Sequence, residues 1–298
     1  MVLGEVRDWT VEPLIESRTA RNADIELHYK AAGSGPPIVF LHGFPDHSLG
    51  WRHQIEALSG RYRVLAPDLR GFGKSSAPGG VAHYALPHLV NDVLAILEAE
   101  KLSQAAIVGH DWGATIAWWL AIRAPKIVRH LVILSTPHPR HYLRAIADPA
   151  NAQTVRYIRR FQNRNAAETI DLEELTEWVA DPQDRIVLRE MLGSNLEAML
   201  NYYRANIPLG HVPELGPLPL VKAPTLVLFG TDDPYVPIAA YDGVFQEVEN
   251  VAALVSIPGA GHFIHHDAAA FVTDQIDAWI ARPPSAYRRL VKSPTDSE

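Results

Sequence analysis

The stretch Gly-His-Asp-Trp-Gly-Ala at residues 109–114 indicates the fold of this chain more directly than any other segment. A short apolar run precedes it at residues 105–108, and an apolar run of helical length follows at 114–122. This pattern predicts a strand, a sharp turn and a helix, because the flanking small residues let the strand and the helix approach closely. A plain helix start would give a similar local sequence, since aspartate favours helix N-termini.

The centre of the turn is Asp111, where many enzymes with such a turn carry serine or cysteine. The segment has the form of a nucleophile elbow, which pushes its central side chain into a pocket. A carboxylate attacks saturated carbon well but is a poor reagent for acyl transfer. The expected chemistry is therefore displacement at an alkyl carbon, through an ester bound to the enzyme.

Composition limits the classes of partner. The 298 residues suffice for one large α/β domain with an insertion, or for two small domains. A formal net charge of -7 argues against nucleic acid or an anionic membrane as a partner. The chain has no cysteine, which excludes disulfides and cysteine-based metal sites. No signal peptide or transmembrane run is recognisable, so we expect a cytoplasmic protein with no membrane partner.

Strand and helix patterns alternate over the first half of the chain. This alternation predicts an α/β fold with a mostly parallel, doubly wound sheet that is covered on both faces. The strand patterns lie at residues 23–31, 37–41, 62–66, 105–109 and 129–135, and the helical patterns at 86–99 and 112–123.

The pattern changes after residue 139. Residues 140–217 carry helical, charge-rich segments without a convincing strand, whereas strand patterns return at 225–229 and 253–257, before a helical one at 268–280. We therefore predict an α/β core from residues 1–139 and 218–281. A helical cap over 140–217 is inserted after the sixth strand, and a poorly ordered tail covers 282–298.

Two strand ends supply partners for Asp111. Strand pattern 225–229 runs into Asp232 and Asp233, and strand pattern 253–257 runs into a glycine-rich turn that ends at His262. Parallel strands place functional groups at their carboxyl ends. The order nucleophile, acid and histidine predicts a catalytic triad in which His262 is the base and Asp233, or its neighbour Asp232, is the acid.

Hydrolysis of an ester on Asp111 passes through an oxyanion, which requires backbone N–H donors. One donor is expected from Trp112, the residue after the nucleophile, and the other from Phe44 after the strand at 37–41. We also expect His42, Pro45, Trp112 and Phe263 to line the substrate pocket.

Five short stretches carry a resemblance to known enzymes. They are His-Gly-Phe-Pro at 42–45, Asp-Leu-Arg-Gly-Phe-Gly-Lys-Ser at 68–75, Gly-His-Asp-Trp-Gly at 109–113, Asp-Pro at 233–234 and Gly-His at 261–262. Together they resemble the α/β-hydrolase fold superfamily and, within it, the epoxide hydrolase family. Most of them are shared by all hydrolases with an aspartate nucleophile, so they imply the ester intermediate without fixing the substrate.

The resemblance to epoxide hydrolases becomes specific in the cap. Family members use two cap tyrosines to hold the epoxide oxygen. One lies four residues before a Phe-Gln pair, which implies Tyr157 here, and the other lies in an Asn-aromatic-Tyr-Arg segment, which implies Tyr203. Tyr202 stands where the family often has tryptophan, so Tyr202 remains an alternative to Tyr203.

The resemblance therefore implies an enzyme that needs no cofactor and opens an epoxide with water to a vicinal diol. A haloalkane or haloacid dehalogenase with the same triad is an alternative, although Phe44 stands where haloalkane dehalogenases usually have asparagine. Trp112 and Thr115 stand where fluoroacetate dehalogenases usually have arginine. A ligand-binding protein that retains the fold without catalysis is a third possibility. The expected state is a monomer or a homodimer.

Two further motifs have simpler interpretations. Gly73-Lys74-Ser75 resembles the end of a phosphate-binding loop, but that motif requires glycine where this chain has Asp68. Residues 262–267 contain three histidines and an aspartate. We predict no metal there, because His262 already has a role and the adjacent His265 and His266 are expected to point in different directions.

Overall fold

A computed structural model describes residues 14–209 and 215–288. Its centre is an eight-stranded sheet with the strand order β1-β2-β4-β3-β5-β6-β7-β8. The strands are β1 (Glu16–Asn22), β2 (Ile25–Ala32), β3 (Pro37–Leu41), β4 (Arg63–Pro67), β5 (Ala105–His110), β6 (Val128–Leu134), β7 (Thr225–Gly230) and β8 (Ala252–Ile257).

The sheet is mostly parallel, as the sequence predicts. β4, β3, β5, β6, β7 and β8 pair in parallel, whereas β2 pairs antiparallel with both β1 and β4. The first strand, β1, was not predicted. It lies at the sheet edge, and its sequence Glu-Ser-Arg-Thr-Ala-Arg-Asn buries only Ala20, so it lacks the apolar alternation of a half-buried strand.

Helices cover both faces of the sheet. In β5, Ile107 belongs to a hydrophobic cluster with Trp118 of one helical layer, and Val108 belongs to a second cluster with Ile276 of the other. The helices are α1 (Arg52–Leu58), α2 (Leu86–Ala99), α3 (Trp112–Arg123), α4 (Pro139–Ala147), α5 (Arg156–Gln162), α6 (Ala166–Thr169), α7 (Leu172–Thr176), α8 (Pro182–Asn206), α9 (Ile264–Asp267), α10 (Ala269–Ile280) and α11 (Pro284–Arg288).

The insertion between β6 and β7 contains α4 to α8, and the described part of 140–217 contains no strand. Its apolar side chains join the same hydrophobic cluster that packs α2 and α3 against the sheet. Polar contacts add to this attachment, since the Tyr202 hydroxyl donates to the Arg70 carbonyl at 2.7 Å. Asn206 at the end of α8 likewise donates to the Tyr84 carbonyl at 2.9 Å.

The tail begins with a helical segment. Residues 284–288 form the short helix α11, which begins at Pro284, a residue whose fixed φ favours the first helical position. The remaining residues, 289–298, lie outside the described part of the chain. Among the described residues, no helix combines the length and the apolar character needed to cross a bilayer.

Two glycines allow α3 to begin directly against the centre of the sheet. A Cβ atom on Gly109 would lie 2.4 Å from the Gly113 carbonyl oxygen, and a Cβ on Gly113 would lie 2.1 Å from that of Leu41. Backbone atoms form these contacts, so a small side-chain movement cannot relieve an added methyl group. The glycines are therefore required for packing between the strand and the helix.

Replacing Gly113 with alanine should destabilise the fold by about 1–3 kcal/mol or more, as overpacking of a tight interior does. Urea unfolding followed by circular dichroism measures this loss. The matched control is Gly60→Ala, because nothing lies within 4 Å of a Cβ at that position. Equal stability of the two variants would contradict the packing interpretation.

Candidate active site

Asp111 occupies the predicted turn between β5 and α3. Its backbone has φ 51° and ψ -118°, a conformation that costs a residue other than glycine about 1–3 kcal/mol. The surrounding structure supports this conformation: Asp111 N–H donates to the Leu134 carbonyl at 3.3 Å, and Thr136 Oγ1 donates to the Asp111 carbonyl at 3.2 Å. The turn directs the Asp111 side chain toward the cap.

One carboxylate oxygen of Asp111 is held by the loop after β3. The Phe44 N–H donates to Asp111 Oδ1 at 2.8 Å, as expected for an oxyanion donor. Gly43 makes this approach possible, since a Cβ there would lie 2.3 Å from Cβ of Asp111. Trp112 is the first residue of α3, and its N–H is one of those that a helix leaves without an intrahelical partner.

His42 has a structural position instead of the expected position in the pocket wall. Its ring is fully buried. The Leu69 N–H donates to His42 Nε2 at 3.0 Å, so Nδ1 carries the proton and donates to the Gly43 carbonyl at 2.9 Å. His42 thus fixes the backbone that presents the Phe44 N–H.

The histidine of the predicted triad lies between two carboxylates. His262 Nδ1 is 2.7 Å from Asp233 Oδ2, and His262 Nε2 is 3.5 Å from Asp111 Oδ2. The second oxygen of Asp233 accepts from the N–H groups of Tyr235 and Val236 at 2.8 and 3.1 Å. Asp232 is exposed and pairs with the Thr231 hydroxyl, so the structure brings Asp233 and not Asp232 to His262.

The carboxylates determine the charge of His262. Burial lowers its pKa, but the charge of Asp233 and the hydrogen bond to Asp111 outweigh burial and raise the pKa to about 10. His262 is therefore protonated at neutral pH. Its protonation stabilises the fold below the ordinary pKa of 6.5, and this contribution is lost as the pH rises through about 10.

Two tyrosines of the insertion face the same space as Asp111. Tyr157 lies on α5 and Tyr203 on α8, with ring centroids 6.2 Å apart and nearly perpendicular planes. Burial raises the pKa of both phenols well above 10, so both keep their protons at neutral pH. The Tyr157 hydroxyl also lies 3.1 Å from that of Tyr142, a neighbour that the sequence did not indicate.

The Phe-Gln pair and the Asn-aromatic-Tyr-Arg segment, which pointed to these tyrosines, both make defined contacts in the structure. Gln162 of the Phe-Gln pair donates to the carbonyls of Tyr203 and Ile207 at 3.1 and 2.6 Å, which joins α5 to α8. Tyr202 points away from the space, since its fully buried hydroxyl is bonded to Arg70. Of the two alternatives, the structure therefore brings Tyr203 to Asp111.

A cavity of about 390 Å³, including its opening to solvent, connects these groups. The expected Pro45 and Phe263 line it, whereas the side chains of His42 and Trp112 do not. The sequence did not indicate Phe161, Leu175, Trp178 or Tyr235 as wall residues, since aromatic and apolar residues look alike whether they line a pocket or fill a core. The full lining is Phe44, Pro45, Asp111, Tyr157, Phe161, Leu175, Trp178, Tyr203, Tyr235, His262 and Phe263.

The expectation that His265 and His266 point in different directions was wrong. Both Nε2 atoms approach Asp46 Oδ2, at 3.1 and 3.4 Å. Asp267 instead accepts from the Gly261 N–H at 3.0 Å, and His262 bonds to Asp233. The four residues at 262–267 therefore do not converge. The short helix α9 brings adjacent histidines to one acidic side chain that lies far away in the sequence.

Comparison with known proteins identifies the class of fold. The family model described as alpha/beta hydrolase fold matches residues 36–170, which contain the Phe44 loop and the Asp111 turn. A protein named epoxide hydrolase 3 from Xenopus tropicalis is 32% identical over 269 residues, covering 83% of this chain and 72% of the relative. The chain therefore belongs to the epoxide hydrolase family of the α/β hydrolases.

Solved structures of the same family have the same fold. An epoxide hydrolase found in metagenomes from hot environments superposes with a TM-score of 0.81 at 30% identity, covering 90% of this chain and 99% of that one. A Bacillus megaterium epoxide hydrolase in complex with an inhibitor gives 0.80 at 28% identity, covering 89% and 100% of the two chains.

Replacing Asp233 with asparagine should lower the pKa of His262 from about 10 toward 6.5 or below, because the largest raising charge is removed while burial remains. An NMR pH titration of histidine ring signals measures the change, with the His262→Gln variant used to assign the signal. The matched control is Asp232→Asn, which should leave the titration unchanged. A similar decrease in both variants would disprove the assignment of Asp233.

Proposed function

We propose that this protein is an epoxide hydrolase that converts an epoxide to a vicinal diol through an ester on Asp111. The arrangement that carries the proposal is the Asp111 carboxylate between the Phe44 N–H and His262, with two phenols across one cavity. A carboxylate nucleophile suits attack on saturated carbon, and phenol donors suit the oxygen that ring opening releases. Known family members support this assignment.

The first step opens the ring. Asp111 Oδ2 attacks an epoxide carbon, the bond from that carbon to the ring oxygen breaks, and the oxygen takes a proton from Tyr157 or Tyr203. Because burial keeps both phenols protonated, either of them can donate. An epoxide has no separate leaving group, so stabilising this oxygen is the main requirement for the step.

The second step cleaves the ester. Esterification removes the Asp111 charge, one of the two that raise the pKa of His262, so the imidazolium becomes more acidic and can return a proton to the tyrosinate. Neutral His262 then takes a proton from a water that attacks the Asp111 carboxyl carbon. The N–H groups of Phe44 and Trp112 hold the oxyanion until it collapses, the ester bond to the diol oxygen breaks, and that oxygen takes the proton from His262. Asp111 is left as a carboxylic acid, and its proton passes to His262, which restores the starting charges.

The proposal divides the chain into two functional parts. The core, made up of the described residues within 1–139 and 218–281, supplies the nucleophile, the base and the acid. The cap, made up of the described residues within 140–217, supplies the two phenol donors and apolar walls around the substrate. No described residue from 282 onward lines the cavity.

Trapping the intermediate tests the mechanism. A His262→Gln variant should form the ester without hydrolysing it, so intact-protein mass spectrometry should detect a gain equal to the whole epoxide. The gain should disappear when Asp111 is also replaced with asparagine. Small haloalkanes are tested in parallel.

Three results would contradict the proposal in different ways. An adduct that survives replacement of Asp111 would disprove its role as nucleophile. A gain of the alkyl group alone, with halide release and no reaction with epoxides, would indicate a dehalogenase. No adduct from a panel of epoxides, together with no turnover by the wild type, would favour a binding protein.

The phenols should act on the chemical step. Replacing both Tyr157 and Tyr203 with phenylalanine should lower kcat by about 10²–10⁴-fold, the usual contribution of a positioned proton donor. The matched control is Tyr202→Phe, which removes a buried hydroxyl of the same helix and should lower stability but not kcat. Steady-state kinetics with thermal unfolding separates the two effects, and equal loss of kcat in the control would overturn the assignment.

A further inference from the structure

A second group of chemically capable side chains lies outside the cavity. His138 stands directly before α4, His141 lies in the first turn of that helix, and Glu247 ends a short 3₁₀ helix (Val244–Glu247) of the core. Their side chains are 0%, 6% and 5% exposed. The cluster thus spans the junction where the chain leaves the core and enters the insertion.

The three side chains converge on one point. His141 Nε2 is 3.1 Å from Glu247 Oε1, and His138 Nδ1 is 4.0 Å from Glu247 Oε2, so each carboxylate oxygen faces one imidazole. One ligand atom from each residue lies within 4.8 Å of the others. Tetrahedral zinc, with bonds of about 2.0–2.2 Å, needs its ligand atoms roughly 3.3 Å apart, which small side-chain rotations would provide here.

His138 is the unusual member of the cluster. Neither of its ring nitrogens has a hydrogen-bond partner among the described residues, although the ring is completely buried. A buried imidazole with both nitrogens unsatisfied costs free energy, and the ring contacts that His138 makes with Trp118 and His141 satisfy neither nitrogen. A cation between His138 and Glu247 would satisfy one nitrogen directly.

Both imidazoles are in the protonation state that binds metals. Burial lowers the pKa of His138 to about 3 and also lowers that of His141, so neither ring carries a charge at neutral pH. Metals bind neutral imidazole and ionised carboxylate. Two nitrogen donors with one carboxylate favour a transition metal over Ca²⁺ or Mg²⁺, which prefer oxygen ligands.

We propose that His138, His141 and Glu247 form a binding site for a divalent transition metal, with Zn²⁺ as the best match. The two imidazoles and one Glu247 oxygen give three protein donor atoms, the number that three-ligand zinc sites combine with a water in the fourth position. None of the three residues lines the cavity around Asp111. The role of this site is therefore structural: the metal crosslinks the start of the insertion to the segment between β7 and β8.

Two arginines bond to side chains that would bind the metal, so they would oppose its binding. Arg140 lies 3.4 Å from Glu247 Oε1, and an Arg144 nitrogen lies 3.2 Å from His141 Nδ1. Guanidinium groups can only donate, so His141 Nδ1 accepts and Nε2 carries the proton toward Glu247. Binding through Nε2 requires the other tautomer and outward movement of both arginines. Arg140 is 39% exposed and Arg144 is exposed, so both can move into solvent.

Calorimetric titration with ZnCl₂ of the full chain, first freed of metal by a chelator, tests the site. We expect one Zn²⁺ per chain. Glu247→Gln and His138→Ala should each weaken binding about tenfold or more, since even partners of metal ligands contribute about 10–100-fold. Arg140→Gln should tighten binding because it removes a competing cation. No saturable binding by the wild type would overturn the proposal, as would unchanged affinity in the two ligand variants.

Two controls separate this site from other histidines. Asp46, His265 and His266 form another group that could hold a cation, so His266→Gln removes one of its ligands, and His88→Ala removes an exposed histidine. Both variants should bind Zn²⁺ as the wild type does. Loss of the bound equivalent in His266→Gln would assign the metal to the other group and overturn the proposal.

Thermal unfolding gives a second readout that does not depend on activity. Saturating Zn²⁺ should raise the Tm of the wild type and of Arg140→Gln, because a ligand that binds only the folded state stabilises it. It should not raise the Tm of His138→Ala. Arg140→Gln keeps all three ligands, so it remains informative even if a ligand variant folds poorly. Weaker binding by Arg140→Gln would contradict the proposed competition.

Discussion

The active site depends on how closely three backbone segments approach one another. The end of β3, the turn at Asp111 and the first residues of α3 meet where Gly43, Gly109 and Gly113 leave no room for a side chain. This contact holds the Asp111 backbone at a positive φ and brings the Phe44 N–H within 2.8 Å of its carboxylate. The Asp111 carboxylate and the Phe44 N–H are therefore positioned by the same packing, and neither can be moved independently of the other.

The sequence predicted the parts of the fold that repeat a simple physical pattern. The parallel strands, α2 and α3 follow apolar runs bounded by turn residues, so their bounds differ from the prediction by no more than one or two residues. Asp111, Asp233 and His262 were found because each follows a strand of a parallel sheet, and such strands end at one edge. The choice of Asp233 over Asp232 required the structure, since the two are adjacent and only their orientation differs.

What the sequence could not predict depends on contacts between distant residues. β1 buries too little apolar surface to leave a strand pattern in the sequence. The sequence position of His42 suggested a pocket residue, and only the structure shows that the Leu69 N–H donates to its ring. The convergence of His265 and His266 on Asp46 likewise involves residues more than two hundred positions apart. No sequence pattern pointed to Tyr142 as the neighbour of Tyr157, since a tyrosine on an amphipathic helix is common in any packed layer.

The two phenols and the carboxylate lie on separate layers of the molecule. Tyr203 is carried by α8, whose neighbouring Tyr202 is bonded to the core at Arg70, and Arg70 in turn forms a buried pair with Asp92 at 2.7 Å. In the proposed mechanism, the angle between the Asp111 oxygen and the two phenols is thus set by how the insertion rests on the core. If that mechanism holds, regiochemistry and enantiomer preference are determined at that interface, and substitutions that never touch a substrate should alter them.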